Sequence, residues 1–122
     1  MPTIIPIPGP LKPRSSVYDL KERLDWGEPA LTIVDIRTRQ AYNSQRISGA
    51  LSMPMVELVG LASASLEVER DIYIYGETDE QATEAANLLH EAGYQNIAVL
   101  VGGIPAWQVA NGATEGSYSI AA

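Results

Sequence analysis

The stretch DIYIYGETDEQATEAANLL, residues 71–89, decides the fold class. Its first five residues alternate β-branched and aromatic side chains, the composition of a buried strand, with Ile72 and Ile74 on one face and Tyr73 and Tyr75 on the other. Core packing explains both tyrosines without any substrate. Gly76 ends the run, and Thr78 with Gln81 three residues on forms a capping-box pattern that starts a helix over 79–92. Ala82, Ala85, Ala86, Leu89 and Ala92 recur at helical spacing, and Gly93 is the C-cap. Strand, short loop and helix build an anion-binding or catalytic loop in many proteins, because the first backbone N–H groups of the helix converge on whatever the loop encloses. This loop has no nucleophile. Instead Glu77, Asp79 and Glu80 bring three carboxylates to the helix end where a ligand anion would sit.

Outward from this unit, strand and helix patterns alternate. Upstream, SSVYDLKERLDWGEP predicts a helix with Ser16 as N-cap, Val17, Leu20 and Leu24 on its apolar face, and Gly27 and Pro29 as its stop. ALTIVDI (30–36) is a strand buried on both faces, RTRQAYNSQ a short helix, and ISGALSMP a short strand closed by Pro54. MVELVGLASASLEV is helical by composition, although Gly60 weakens it. Downstream, NIAVLVGG is a further strand and 105–110 a short helix. These elements predict an α/β fold: a single-domain parallel sheet of four to five strands with helices on both faces. In such sheets ligands sit beyond the carboxyl ends of the strands, where the loop after Tyr75 must lie. Residues 1–15 hold five prolines and read as an extended arm, with Pro10 and Pro13 at polyproline-ligand spacing; 16–112 form the domain, and 113–122 a tail.

Composition narrows the function. At 122 residues there is room for one core. Eight Lys and Arg against fifteen Asp and Glu give a net charge of −7, which opposes a sequence-independent grip on nucleic acid or anionic lipid and favours a protein partner or basic ligand. Cysteine is absent and His90 is the one histidine, so there is no thiolate, no disulfide and no ordinary zinc set; no metal or cofactor is expected. His90 reads as an exposed helix residue. The apolar runs fall short of a membrane span and the N-terminus lacks a signal-peptide pattern, so the expectation is a cytoplasmic protein.

The order of motifs then becomes specific. DIRTRQAYNSQRISGALSMP (35–54) closely resembles the early signature of the rhodanese family, in which a strand ends in Asp-x-Arg, a short helix follows, and a Gly-Ala step leads to the next strand. LVGGIPAWQVANG (100–112) resembles the family's closing Leu-x-Gly-Gly-x-x-Ala-Trp and Gly. A family member that transfers sulfur has Cys directly after the Tyr of the central strand, Gly three residues on and usually Arg two beyond. Here those places hold Gly76, Asp79 and Gln81, in a loop of the family's length. The family reaction stores sulfane sulfur as a persulfide on that cysteine, and the phosphatase relatives use the same thiolate; glycine can do neither.

The resemblance therefore implies a degenerate member with no catalytic residues and no enzyme activity, acting as a protein-binding or regulatory module. The binding surface expected is the former active-site loop, Gly76, Glu77, Thr78, Asp79, Glu80 and Gln81, flanked by Asp35 and Arg37. In the family the matching Asp and Arg support that loop, and an internal ion pair fixing the strand end is the structural reading for them here. Arg46 stands where many members have His and reads as surface. For the acidic loop the structural reading is capping and a favourable helix dipole. Electrostatics oppose an anion there if even one of the three carboxylates faces inward rather than to solvent: the helix end offers about 0.3–1 kcal/mol, whereas one inward carboxylate about 5 Å away costs on the order of 3 kcal/mol at an effective dielectric of about 20. Gly102 and Gly103 read as a backbone bend, and Trp107 as a core or rim aromatic. Two rival readings stay open. One is an enzyme of another class, using Glu77, Asp79 or Asp35 as general base or cation ligand. The other is a structural, oligomerising protein in which the Pro-rich arm straps onto a neighbouring subunit.

Overall fold

The computed structural model describes residues 13–27 and 31–117. In chain order the elements are β1 (Arg14–Ser15), α1 (Val17–Asp25), β2 (Leu31–Asp35), α2 (Arg39–Ser44), β3 (Arg46–Ile47), β4 (Leu51–Ser52), a 3₁₀ turn (Met55–Glu57), α3 (Leu58–Ser65), β5 (Asp71–Tyr75), α4 (Asp79–Glu91), β6 (Ile97–Leu100), α5 (Gly103–Val109) and β7 (Thr114–Glu115). Five strands form one parallel sheet in the order β1-β6-β5-β2-β4. This is the α/β architecture expected from the alternation.

The period-2 pattern of the strands divides the core. Val34, Ile36, Ile72, Ile74, Ile97 and Val99 face α3 and α4, whose Leu58, Ala62, Ala82, Ala85 and Leu89 are buried against them. Ile33, Tyr73, Tyr75, Ala98 and Leu100 face α1 and α5 on the other side, with Leu20, Ile104 and Trp107. The small residues of α4 let the helix lie close to the sheet. β2 and β5 are neighbours in exact step, Asp35 opposite Tyr75, so both strands end at one level and open onto one loop cluster.

Several expectations shift. In α1 the buried positions are Val17, Leu20 and Arg23, while Leu24 is exposed. Arg23 turns inward because Nη1 donates to the Tyr73 hydroxyl at 3.0 Å and Nη2 to Asp71 at 3.0 Å, so its charge is paired and its stem lies on the core. The strand expected at ISGALSMP divides at Gly49, whose φ is +86°, into β3 and β4. The helix expected over 55–68 begins as the 3₁₀ turn and ends at Ser65. The edges of the domain also move outward. Arg14 and Ser15, placed in the arm, pair with β6, and β7, placed in the tail, pairs antiparallel with β3. Arg46, read as surface, is half-buried there, its guanidinium 4.6 Å from the Tyr42 ring centre and 3.3 Å from Glu115. The arm over 1–12, its Pro10-x-x-Pro13 pattern apart from Pro13, the Pro29 stop and residues 118–122 lie outside the described residues.

The end of α5 is fixed by Trp107, which is buried and donates its indole N–H to the Ala113 carbonyl at 2.8 Å. Gly112 passes so close that a Cβ there would lie 2.1 Å from the indole ring. Gly112→Ala is therefore expected to cost about 1–3 kcal/mol through overpacking; the midpoint of urea unfolding, compared with wild type at unchanged slope, measures it.

Candidate functional site

The site is built from the adjoining ends of β2 and β5. Ile36 N–H donates to the Tyr75 carbonyl at 3.1 Å, so the chain beyond Asp35 runs beside the chain entering Gly76. Asp35 is completely buried. Its carboxylate accepts from the Arg37 backbone N–H at 2.9 Å, from Arg37 Nε at 3.0 Å and Nη2 at 2.7 Å, and from the Tyr75 hydroxyl at 2.6 Å. Tyr75 accepts in turn from the Ile47 N–H at 3.1 Å, and Arg37 Nη2 also donates to the Gln45 carbonyl. The guanidinium carbon lies 5.7 Å from the Tyr75 ring centre. One carboxylate thus ties β2, β5, the end of α2 and β3 together. The Asp35–Arg37 pair is an internal brace, as the Asp-x-Arg spacing suggested. Tyr75 is its third member, missed in the sequence because its alternation with Ile74 accounts for burial alone; the clue was that a buried phenol needs a partner.

The electrostatics follow from this closure. Burial works against the Arg37 charge, but the hydrogen bonds and charge of Asp35 outweigh it and raise Arg37 above its ordinary value. Burial, and then the bond to Asp35, push the Tyr75 phenol far above the ordinary range, and burial raises Tyr73.

The loop residues come together, but their side chains diverge. Thr78 Oγ1 accepts from the Gln81 N–H at 3.1 Å, the cap expected for α4. That cap leaves the amides of Asp79 and Glu80 without an intrahelical partner. Asp79 turns toward the loop after β6, its Oδ1 accepting from the Gly102 N–H at 3.0 Å and its Oδ2 lying 3.6 Å from Arg14. Glu80 is exposed beside Arg14 and Thr83. Glu77 is exposed on the opposite side, at an open depression it shares with Arg37, Met55 and Gln81. The Gly102–Gly103 bend is real: φ values of +85° and +53° bring Gly103 to the Gly76 carbonyl, 3.4 Å from where a Cβ on Gly103 would sit. A Cβ on Gly76 would meet Ile36 Cδ1 and Cγ1 at 3.0 Å, closer than ordinary contact. The space over Gly76 is thus bounded by Ile36, and Gln81 Oε1 lies 3.5 Å from the same point. His90 is exposed, its Nδ1 2.9 Å from the Tyr94 carbonyl.

A braced Asp-x-Arg at the end of one central strand, a short loop and helix start over 76–81 after the next, and a double glycine behind that loop agree with one family. The rhodanese-like domain family matches residues 16–110. This chain belongs to the rhodanese-like family. The crystal structure of the Alr3790 protein from Anabaena sp. is 52% identical, with a TM-score of 0.82 over 84% of this chain and 91% of that one. The solution structure of the rhodanese-like domain from the same protein gives 49% identity and a TM-score of 0.85 over 92% and 87%. Thiosulfate sulfurtransferase from Pseudomonas aeruginosa, at 22% identity and a TM-score of 0.76 over 88% of this chain and 21% of that one, shares the fold alone. No curated protein matches the chain. This rhodanese-like domain contains no cysteine. Among the described residues, no helix is long and apolar enough to cross a membrane.

Two predictions follow from the brace. Tyr75→Phe leaves the Ile47 N–H buried without an acceptor and is expected to cost about 1–3 kcal/mol, and Asp35→Ala, which strips the partly buried Arg37 of its counter-charge and the buried Tyr75 hydroxyl of its acceptor, about 3–5 kcal/mol; urea unfolding measures both, and non-additivity in the double variant reports their coupling. The raised phenols also set an alkaline limit. In the unfolded chain Tyr73 and Tyr75 release protons near pH 10, whereas the folded state retains them, so their contribution is complete below about pH 10 and falls as pH rises beyond it. Tyrosinate absorbance is expected to show a late step that coincides with loss of far-ultraviolet circular dichroism.

Proposed function

We propose that this rhodanese-like domain is a non-catalytic module that binds a protein partner through the former active-site loop, residues 76–81, beside Asp35 and Arg37. The carrying observation is the pairing of an intact brace with a rewritten loop: Asp35, Arg37 and Tyr75 hold the loop in place, while Gly76 stands where the family's nucleophile would be. A persulfide needs a sulfur to form on, and none of the 122 residues is cysteine. Regulation by occupancy of this face, and a cytoplasmic setting, belong to the same reading. The rival enzyme of another class gains no support from the carboxylates: Glu77 is exposed, Asp79 is engaged with Gly102 and Arg14, and Asp35 is enclosed in the brace. The strap reading concerns residues outside the described part of the chain; loss of solution mass on deleting residues 1–12 would revive it.

Sulfur transfer from thiosulfate to cyanide by the purified protein is expected to stay at the buffer blank, and turnover that disappears on changing the loop would falsify the reading. Gly76→Cys alone is expected to restore little. The thiol, ordinarily near pKa 8.5, sits beside Glu77 and at the mouth of a loop with no arginine, leaving at most about a few per cent thiolate at neutral pH. Ile36 must also shift by a few tenths of an ångström to admit the side chain. Adding Gln81→Arg and neutralising Glu77 and Glu80 is expected to raise the rate above that of the single variant in the same assay.

A further inference from the structure

The loop face continues into an open groove of about 330 Å³, bordered on the brace side by Arg37. One wall is apolar: Pro54, Met55 and Val56 follow β4, and Val56 is 93% exposed, the most exposed large hydrophobic side chain among the described residues. The opposite wall is acidic. Gln81 and Glu84, three residues apart on one face of α4, and Glu77, just before the Thr78 cap, all border the groove. Among the described residues neither Glu77 nor Glu84 has a cationic partner within 4.0 Å. Of the nearby cations, Arg37 borders the groove and its charge is felt by Glu77, but the hydrogen-bond donors of both are committed. Arg37 is held by Asp35 and the Gln45 carbonyl, and Arg39 by Glu57 at 3.0 Å.

An exposed valine facing two carboxylates that make no salt bridge among the described residues matches one chemistry. Resting on the non-catalytic reading above, we propose that this groove docks a segment of a partner protein carrying lysine or arginine beside an aliphatic side chain, the aliphatic group covering Val56 and Met55 and the cation lying between Glu77 and Glu84. Covering an exposed aliphatic side chain supplies the affinity, and the two carboxylates supply sign selectivity and a faster encounter at low salt. An acidic segment meets like charge on one wall. A purely polar basic segment gains nothing from the other.

Three short synthetic peptides test this on the isotope-labelled full chain by NMR: one alternating lysine with leucine, one lysine with serine, and one glutamate with leucine. The lysine–leucine peptide is expected to bind saturably and to shift the amides of residues 36–38, 55–57 and 77–84, and the other two to bind at least about tenfold more weakly. Val56→Asp and the double variant Glu77→Lys, Glu84→Lys are each expected to weaken it by a similar factor, while Glu91→Lys, at the far end of α4, leaves it unchanged. All these positions are exposed, so unaltered spectra away from the substitution confirm folding. Equal binding of the lysine–serine peptide, shifts confined to another face, or insensitivity to Val56→Asp overturns the proposal. So does self-association at rising concentration that Val56→Asp abolishes, which assigns the groove to a second copy. If the groove fails while sulfur transfer stays blank, the non-catalytic reading stands without this partner chemistry; if sulfur transfer is found, that reading fails first.

Discussion

One buried carboxylate organises the functional end of this domain. Asp35 has no contact with solvent, and its charge is tolerable only because Arg37 and the Tyr75 hydroxyl surround it with donors. Those donors arrive from different segments, so satisfying the charge forces β2, β5 and the chain leading into β3 into one arrangement. The parallel register that sets Asp35 opposite Tyr75 is therefore held at its carboxyl end by side chains as well as by the ladder. The loop after Tyr75 inherits its position from this closure. Of its own side chains, only Thr78 and Asp79 help to fix its shape.

That separation leaves the scaffold indifferent to the residue at position 76. The brace, the Gly102–Gly103 bend and the Thr78 cap shape the loop without reference to what stands at position 76. Side chains on the loop were thus open to replacement, and the replacements have diverged in direction. Asp79 is drawn to Gly102 and Arg14, where it ties the edge of the sheet to the start of α4. Glu77 instead faces the groove beside Met55. A site that concentrates positive field needs its donors to converge, whereas the carboxylates here spread around the helix end.

The sequence carried the central elements well because their signals are local. The β-branched run of β5, the Thr78 cap and the alanine spacing of α4 need no partner to be recognised, and Asp35 and Arg37 were legible through their spacing and the family signature. What it carried poorly depends on pairing across the fold. β1 and β7 are two residues each, too short for any period, and exist because β6 and β3 offer edges. Arg23 lay beside an eligible leucine on an amphipathic helix, and only Tyr73 and Asp71 from β5 explain why the arginine is the one buried. The direction of each loop carboxylate depended likewise on Gly102 and Arg14, which arrive from distant parts of the chain. The groove wall at Met55 and Val56 gave no warning, since exposed aliphatics after a proline look like an ordinary helix start.

The non-catalytic reading proposed above requires a loop that keeps its form without an affinity for anions. Titration of thiosulfate into isotope-labelled protein, following the amide signals of residues 76–81 at low ionic strength, tests it most directly. The account predicts no saturable change at those amides up to tens of millimolar. A saturable shift centred on Gly76 and the first turn of α4 contradicts it, because the loop would then still bind an anion at the helix start.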